Sequence, residues 1–586
     1  MPVGRRAIYA VVALLCFLVF ILAGCGTGRR DDAAFGKLTK DFFAHFFEMH
    51  PVRATMVGVH RYDGKIDDLS REAVEAESEF CRACLSRLEK IDFMKLTPDN
   101  RLDAEILRNN IELILLENED ARVFETYPLF YTVLFGNSIY SLLSREYAPL
   151  DERLDAVASR LEQFPHALDQ AMRNLSNPPR VVTETAIYQS RGVIEFIEKD
   201  LMREADKAPR KTEEIAKAAG SALAALRAFQ DFLEKDLINR SLGDCRIGER
   251  RYRKTLELSL QSEMTSEDIV AAAYADIEKT HKEMYEIAAP LYAEIFGAKP
   301  PAKAGPTDHV EIIKAVLGEI SKDHASAAGL LDEYKAAYGE AAAFVRERDI
   351  LAIPDDPIEI AWSPEFFRGL SAVAFQPPGP LEKSMKYYFW VSPVPEYYDA
   401  AQTETFMREY NNEMIRILTI HETLPGHFVQ LAAANRNPSM VRAVFRNNAF
   451  VEGWALYSTT MMSELGFRNG DPRFQLQLKK FHLRAPINAI LDSGFHRENM
   501  SEYEAVRLIT EDGFQEPSEA LARWNRACLM PVYLSTYFVG CQEIMMLRKE
   551  AEERSGTDFS LKEFHEKLLS RGSIPVKYAR ESMLGH

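Results

Sequence analysis

The strongest constraint in this chain is a period. From Ala33 to about Gly297, apolar residues return every three or four positions, as in Phe35, Leu38, Phe42, Phe43 and Phe46, with charged residues between them. That spacing paints one face of an α-helix and leaves the other for water, whereas a half-buried strand would alternate every second residue. Pro51, Pro98, Pro149, Pro178-Pro179 and Gly243 cut the stretch into helices of ordinary length. Strand signals are local: "ILAIP", "IEIAW" and "KYYFWVSP", between Ile350 and Pro393, are β-branched or aromatic and bounded by Pro, Asp or Ser. The expected fold is therefore mainly α, a large multi-helix body with a small β element just ahead of residue 421. A Pro, Gly and Ala-rich run at 298–308 lacks apolar periodicity and reads as a linker between an N-terminal helical lobe, 25–297, and a C-terminal one, 309–586.

The first 24 residues read as an export signal: Arg5 and Arg6, an apolar run from Ala7 to Ile21, then Leu22-Ala23-Gly24-Cys25. This end has the form of a bacterial lipobox, with Cys25 as the lipidated first residue of the mature chain. The alternative is a retained spanning helix, but the run is shorter than the roughly 18 to 20 residues that a span requires. A lipidated Cys25 would hold the protein on a membrane of the cell envelope, and nothing in the residues decides between the outer and the cytoplasmic one.

The formal net charge is −17, or −19 without residues 1–24, which carry two arginines and no acid. So acidic a chain lacks the basic patch that nucleic acid or anionic lipid would need, and no nucleic-acid partner is expected. Beyond Cys16 and Cys25 the cysteines are Cys81, Cys84, Cys245, Cys528 and Cys541, an odd set that does not read as a disulfide framework. "CRAC" at 81–84 has metal or redox spacing but no second pair and no nearby histidines.

Chemistry concentrates in "HETLPGHFVQ", which begins like a zinc-peptidase helix and delivers its second histidine two residues late. Met414, Ile417, Leu418 and His421 share one helical stripe, so His421 is either a satisfied core residue or a ligand. Histidines four apart on a helix diverge by about 40° and can share one ion, whereas six apart they diverge by about 120° and cannot. Pro425 cannot donate to the His421 carbonyl, and Gly426 tolerates unusual backbone. Together they permit a break that brings His427 back beside His421. In "FVEGWALYSTTMM", Glu452 sits among Phe450, Val451, Trp454 and Leu456, where a carboxylate is costly unless paired or metal-bound. His421, His427 and Glu452 then form a candidate three-ligand site for one zinc ion, and Glu422 a candidate general base.

These two motifs resemble the bacterial "domain of unknown function 885" family, placed among the gluzincin-type metallopeptidases. Supporting stretches are "HPVRATMVGVHRYDGKIDDLS", "RIGERRYRKTLELSL", "DSGFHRE" and "PVYLSTYFVG". The interval from His427 to Glu452 is similar to that in thimet-oligopeptidase-type enzymes, which implies a largely helical body with a deep channel. The resemblance aligns Tyr537 with a tyrosine in the family's C-terminal pattern, a candidate oxyanion donor. Arg523 is a candidate for holding a substrate carboxylate. Asp492 and His496, four apart on a helix, either contact substrate or orient a ligand, or else form a surface ion pair. Val532, Tyr533 and Phe428 depart from the family pattern. The expectation is an exported, lipid-anchored zinc metallopeptidase acting on small peptides. The alternative is an envelope peptide-binding lipoprotein that keeps the architecture without turnover.

Overall fold

The computed structural model describes residues 30–298, 300–301, 305–364 and 372–585. Cys25 and the rest of 1–29 lie outside them, as does part of the 298–308 run. Helices dominate, and their boundaries follow the breakers. Pro51 opens the helix Pro51–Val57, Pro98 opens Pro98–Leu115, and Pro149 and Pro179 are the N-caps of Leu150–Asn174 and Arg180–Glu195. Proline suits these positions because the first turn has no use for its missing N–H. The first helix, α1 (30–49), turns Phe35, Leu38, Phe42, Phe43 and Phe46 into the core, as the period requires.

Two helices from the first half approach the site: α2 (Gly248–Leu260) and α3 (Ser266–Phe296), the latter started by a Thr265/Asp268 capping box. Buried apolar side chains from both sides of 298–308 join one continuous core, with Phe42 and Phe43 lying against Phe445. Within it, the Arg442 guanidinium donates to Asp103 at 2.6 Å. A disulfide, Cys245–Cys528, also joins the two sides, which corrects the expectation drawn from the odd cysteine count. The other three are free: Cys541 is partly buried and Cys81 and Cys84 are buried, and burial pushes the Cys81 thiol well up, the opposite of a reactive or ligating thiol.

Helix α4 (Leu330–Glu347) leads to a three-stranded sheet of β1 (Ile358–Trp362), β2 (Val373–Gln376) and β3 (Tyr387–Val391), in the order β1-β3-β2. β1 runs parallel to the central β3 and β2 antiparallel to it, with Ile360 and Phe375 both opposite Phe389. "ILAIP" is not a strand; Ile350 and Leu351 are instead buried at the end of α4, where the Ile350 N–H donates to the Val345 carbonyl. The third strand is "VAFQ", whose pairing with β3 supplies what its four residues alone do not advertise. Phe375 points at the next elements, its ring 6.5 Å from that of His427 and 6.2 Å from that of Phe428. Among the described residues no helix is long and apolar enough to cross a membrane.

Candidate metal centre

Helix α5 (Asn412–Glu422) starts from the Asn411 side chain, which accepts from the N–H groups of Glu413 and Met414. It stops at Glu422 because Thr423 leaves helical angles, with φ −121° and ψ −88°. After Thr423–Gly426 the chain resumes as α6 (His427–Asn435). Gly426 makes the break tight: its N–H donates to the Ile420 carbonyl at 3.0 Å, and a Cβ there would sit 1.9 Å from the His421 carbonyl oxygen. The Pro425 carbonyl, freed from any helix, accepts from the buried Trp454 indole at 2.9 Å. The turn thus absorbs the angular mismatch between histidines six apart, and their ring centroids lie 4.9 Å from each other.

Helix α7 (Asn448–Glu464) brings the carboxylate. Capped by Asn447, it packs directly against α10 (Thr536–Ser555) through Gly453 and Gly540. A Cβ on Gly540 would lie 1.7 Å from the Ala449 carbonyl oxygen, so only glycine allows this approach. With α7 held there, Glu452 Oε2 stands 3.8 Å from His421 Nε2 and 3.6 Å from His427 Nε2. Among the described residues this is the one group of three or more His, Cys, Asp or Glu placed to hold an ion, its donor atoms all within 4.8 Å of one another.

The donor set fits zinc. Ligands about 2.0–2.2 Å from a tetrahedral ion stand roughly 3.3–3.5 Å apart, close to the spacing seen. Two imidazole nitrogens and one carboxylate oxygen suit a borderline cation and leave a coordination position open. The Nδ1 atoms of His421 and His427 are buried without a hydrogen-bond partner, and their Nε2 atoms stand too far from Glu452 for a good hydrogen bond. Burial lowers the His427 pKa, but the Glu452 carboxylate and, to a lesser degree, the Glu422 charge together more than offset this, so the net shift is upward. Burial raises Glu452 less than the two imidazoles lower it, so it stays ionised. Glu422 is pushed up, mainly by desolvation, although both histidines oppose the shift.

The supporting residues surround this cluster at different distances. Tyr533, not Tyr537, touches the cluster: its hydroxyl donates to Glu452 Oε1 at 2.8 Å. Tyr537 stands behind it, with ring centroids 5.9 Å apart, and desolvation followed by the Glu452 charge raises its phenol to about 12. The sequence signal for Tyr533 was present as a departure from the family pattern.

Asp492 and His496, on α8 (Arg484–Arg497), are fully buried and form no surface ion pair. Asp492 accepts from the Val532 N–H at 2.9 Å and from the Ser535 hydroxyl at 2.6 Å, and so clamps the turn that presents Tyr533. The clamp holds Val532 at φ 69°, an uncommon angle for a β-branched residue. His496 was expected on the substrate side. It is buried with Nε2 at 3.0 Å from the Ala527 carbonyl, and packing on Tyr252 and Phe495 makes it part of the core. Arg523, on α9 (Pro517–Leu529), is half-buried and bonded to Asn488 Oδ1 at 2.9 Å.

No curated protein matches the chain. Among solved structures, a candidate lipoprotein of unknown function from Shewanella oneidensis is 29% identical, with a TM-score of 0.80 over 94% of this chain and 99% of that one. A second candidate lipoprotein, from Colwellia psychrerythraea, is 17% identical with a TM-score of 0.75 over 95% and 98% of the two chains, which shows the shared fold. The model of a family described as bacterial protein of unknown function (DUF885) matches residues 51–583, a span that takes in α5, α6, α7 and the turn before α10, and the chain belongs to that family.

Proposed function

We propose that the protein is a zinc-dependent metallopeptidase of the gluzincin type, acting on small peptides at the His421, His427 and Glu452 cluster. The observation that carries this reading is the convergence of the three donors across a broken helix, with Glu422 next to the first of them. The mainly helical body with a small sheet beside the site supports the likeness to thimet-oligopeptidase-type enzymes. The lipobox at Cys25 and the two candidate lipoproteins of the same fold support an exported, lipid-anchored protein.

A zinc ion held there supplies a Lewis acid that polarises a carbonyl and lowers the pKa of a water. Glu422, next to His421 at the end of α5, takes the proton from the attacking water and returns it to the leaving amine. Glu452, fixed by the Tyr533 hydroxyl, keeps its charge and orientation. Tyr537, with its phenol protonated to about pH 12, is available to donate to the oxygen that gains charge as the amide carbon becomes tetrahedral.

The test is metal content by elemental analysis together with cleavage of a mixed peptide library, for wild type and Glu422→Gln. The expected outcome is one zinc per chain in both proteins and cleavage by wild type alone. Metal without any cleavage that the variant abolishes refutes the peptidase and leaves a peptide-binding lipoprotein; absence of stoichiometric metal refutes both.

A further inference from the structure

Two arginines stand beside the cluster without an acid. Neither Arg523 nor Arg526 has a carboxylate within 4.0 Å among the described residues, in a chain of net charge −17 where most arginines find one. Arg523 spends one Nη on Asn488, and its Nε is buried without a partner. Arg526, three residues on and therefore on the same face of α9, is exposed; its guanidinium lies 5.5 Å from the centre of the Tyr533 ring, and one nitrogen is 3.4 Å from the Tyr537 hydroxyl. A third arginine nearby, Arg484, is already held by Glu409 and Gln515. Desolvation first, and then the Arg484 charge, pull the Arg523 pKa down to about 10. Glu519 offsets part of this from a distance without pairing to either guanidinium, and neighbouring like charges that lack a direct partner are relieved by an anion.

We infer that Arg523 and Arg526 form the subsite for the free α-carboxylate of a peptide, so that the enzyme removes residues from the C-terminal end of its substrate. This rests on the peptidase reading for the cleavage step but not for the binding. The planar, forked guanidinium matches a carboxylate with two parallel hydrogen bonds, and an exposed arginine beside a half-buried one lets the chain end enter from solvent. Spacing sets the product. From Glu452 to the Arg526 guanidinium is one tyrosine ring and two contacts, about 11 Å at most, which an extended chain covers in about three residues. The released fragment is therefore one to three residues long. The Cys245–Cys528 disulfide ties down the end of the same helix, and the Tyr127 hydroxyl donates to the Leu529 carbonyl at 2.5 Å, so α9 presents its arginines from a fixed base.

The experiment measures binding apart from turnover. Zinc-loaded Glu422→Gln protein is titrated with three N-terminally fluorescein-labelled hexapeptides, read by anisotropy: one with a free C-terminus, its C-terminal amide, and an amide whose last residue is Glu. The expected result is about 10- to 100-fold weaker binding of the plain amide, with the difference abolished by Arg523→Gln and by Arg526→Gln. The exposed position of Arg526 guards against an effect of misfolding. Equal binding of acid and amide, or recovery by the Glu side chain alone, overturns the inference. In parallel, wild type digests the free-acid peptide. Preference for the acid without cleavage upholds the subsite and sinks the peptidase, whereas cleavage without preference does the reverse.

Discussion

Replacing Gly426 by alanine tests the broken helix on which the proposed metal site depends. The added Cβ would fall 1.9 Å from the His421 carbonyl oxygen, 2.4 Å from that of Ile420 and 2.6 Å from the His421 carbonyl carbon. All three are backbone atoms of α5, so no side chain can swing aside. Relief requires the turn to open, which breaks the Gly426 to Ile420 hydrogen bond at about 1 kcal/mol. The remaining strain adds about 1–3 kcal/mol, so the expected loss is about 2–4 kcal/mol in the metal-free protein. An opened turn also carries His427 away from His421, and a ligand displaced by about an ångström weakens zinc binding by an expected 10- to 100-fold. The assay is thermal unfolding of the metal-free protein together with zinc affinity by competition with a chelator. Gly220→Ala, in the helix Thr212–Lys235 with nothing within 4 Å of its Cβ, is the control and should gain about 0.5–1 kcal/mol. A Gly426→Ala protein with wild-type unfolding and zinc affinity would refute the reasoning.

Tyr533→Phe removes the hydroxyl that fixes Glu452 and should weaken zinc about tenfold by the same chelator competition, while Tyr537→Phe should leave zinc affinity unchanged and lower kcat on a peptide substrate. Burial raises the Asp492 pKa to about 7 from an ordinary 3.8, so the contribution of its protonated form is fully present below about pH 4 and is lost as pH rises towards 7. Asp492→Asn should flatten that decline, which is worth up to about 4 kcal/mol, and urea unfolding between pH 4 and 7 should show the two proteins converging or crossing as pH rises. A parallel slope for both refutes the assignment. Replacing Cys245 and Cys528 together by serine should cost about 2–5 kcal/mol in thermal unfolding under oxidising conditions and nothing under full reduction, where the wild type has lost the same link.

Much of the site was legible in the residues because it is local. Histidines six apart, with proline and glycine between, leave few backbone solutions that share an ion, and the apolar company of Glu452 marked it as a buried carboxylate. "IEIAW" and "YYFWV" were equally readable, since β-branched and aromatic runs carry their own preference, whereas "VAFQ" became a strand only by pairing with β3.

What the sequence alone determined is the mainly helical fold, its boundaries at the prolines, and the break that pairs His421 with His427, all set by interactions spanning a few turns of chain. Only tertiary structure decided which tyrosine touches Glu452, because Tyr533 and Tyr537 both lie 80-odd residues away and the choice depends on a Gly453–Gly540 helix contact and on the Asp492 clamp. The same holds for the Cys245–Cys528 link across 283 residues, and for Asp492 and His496, whose helical spacing fits a surface pair but whose helix is buried on every side. Period reveals which face of a helix is apolar; it does not reveal how many neighbours will cover the rest.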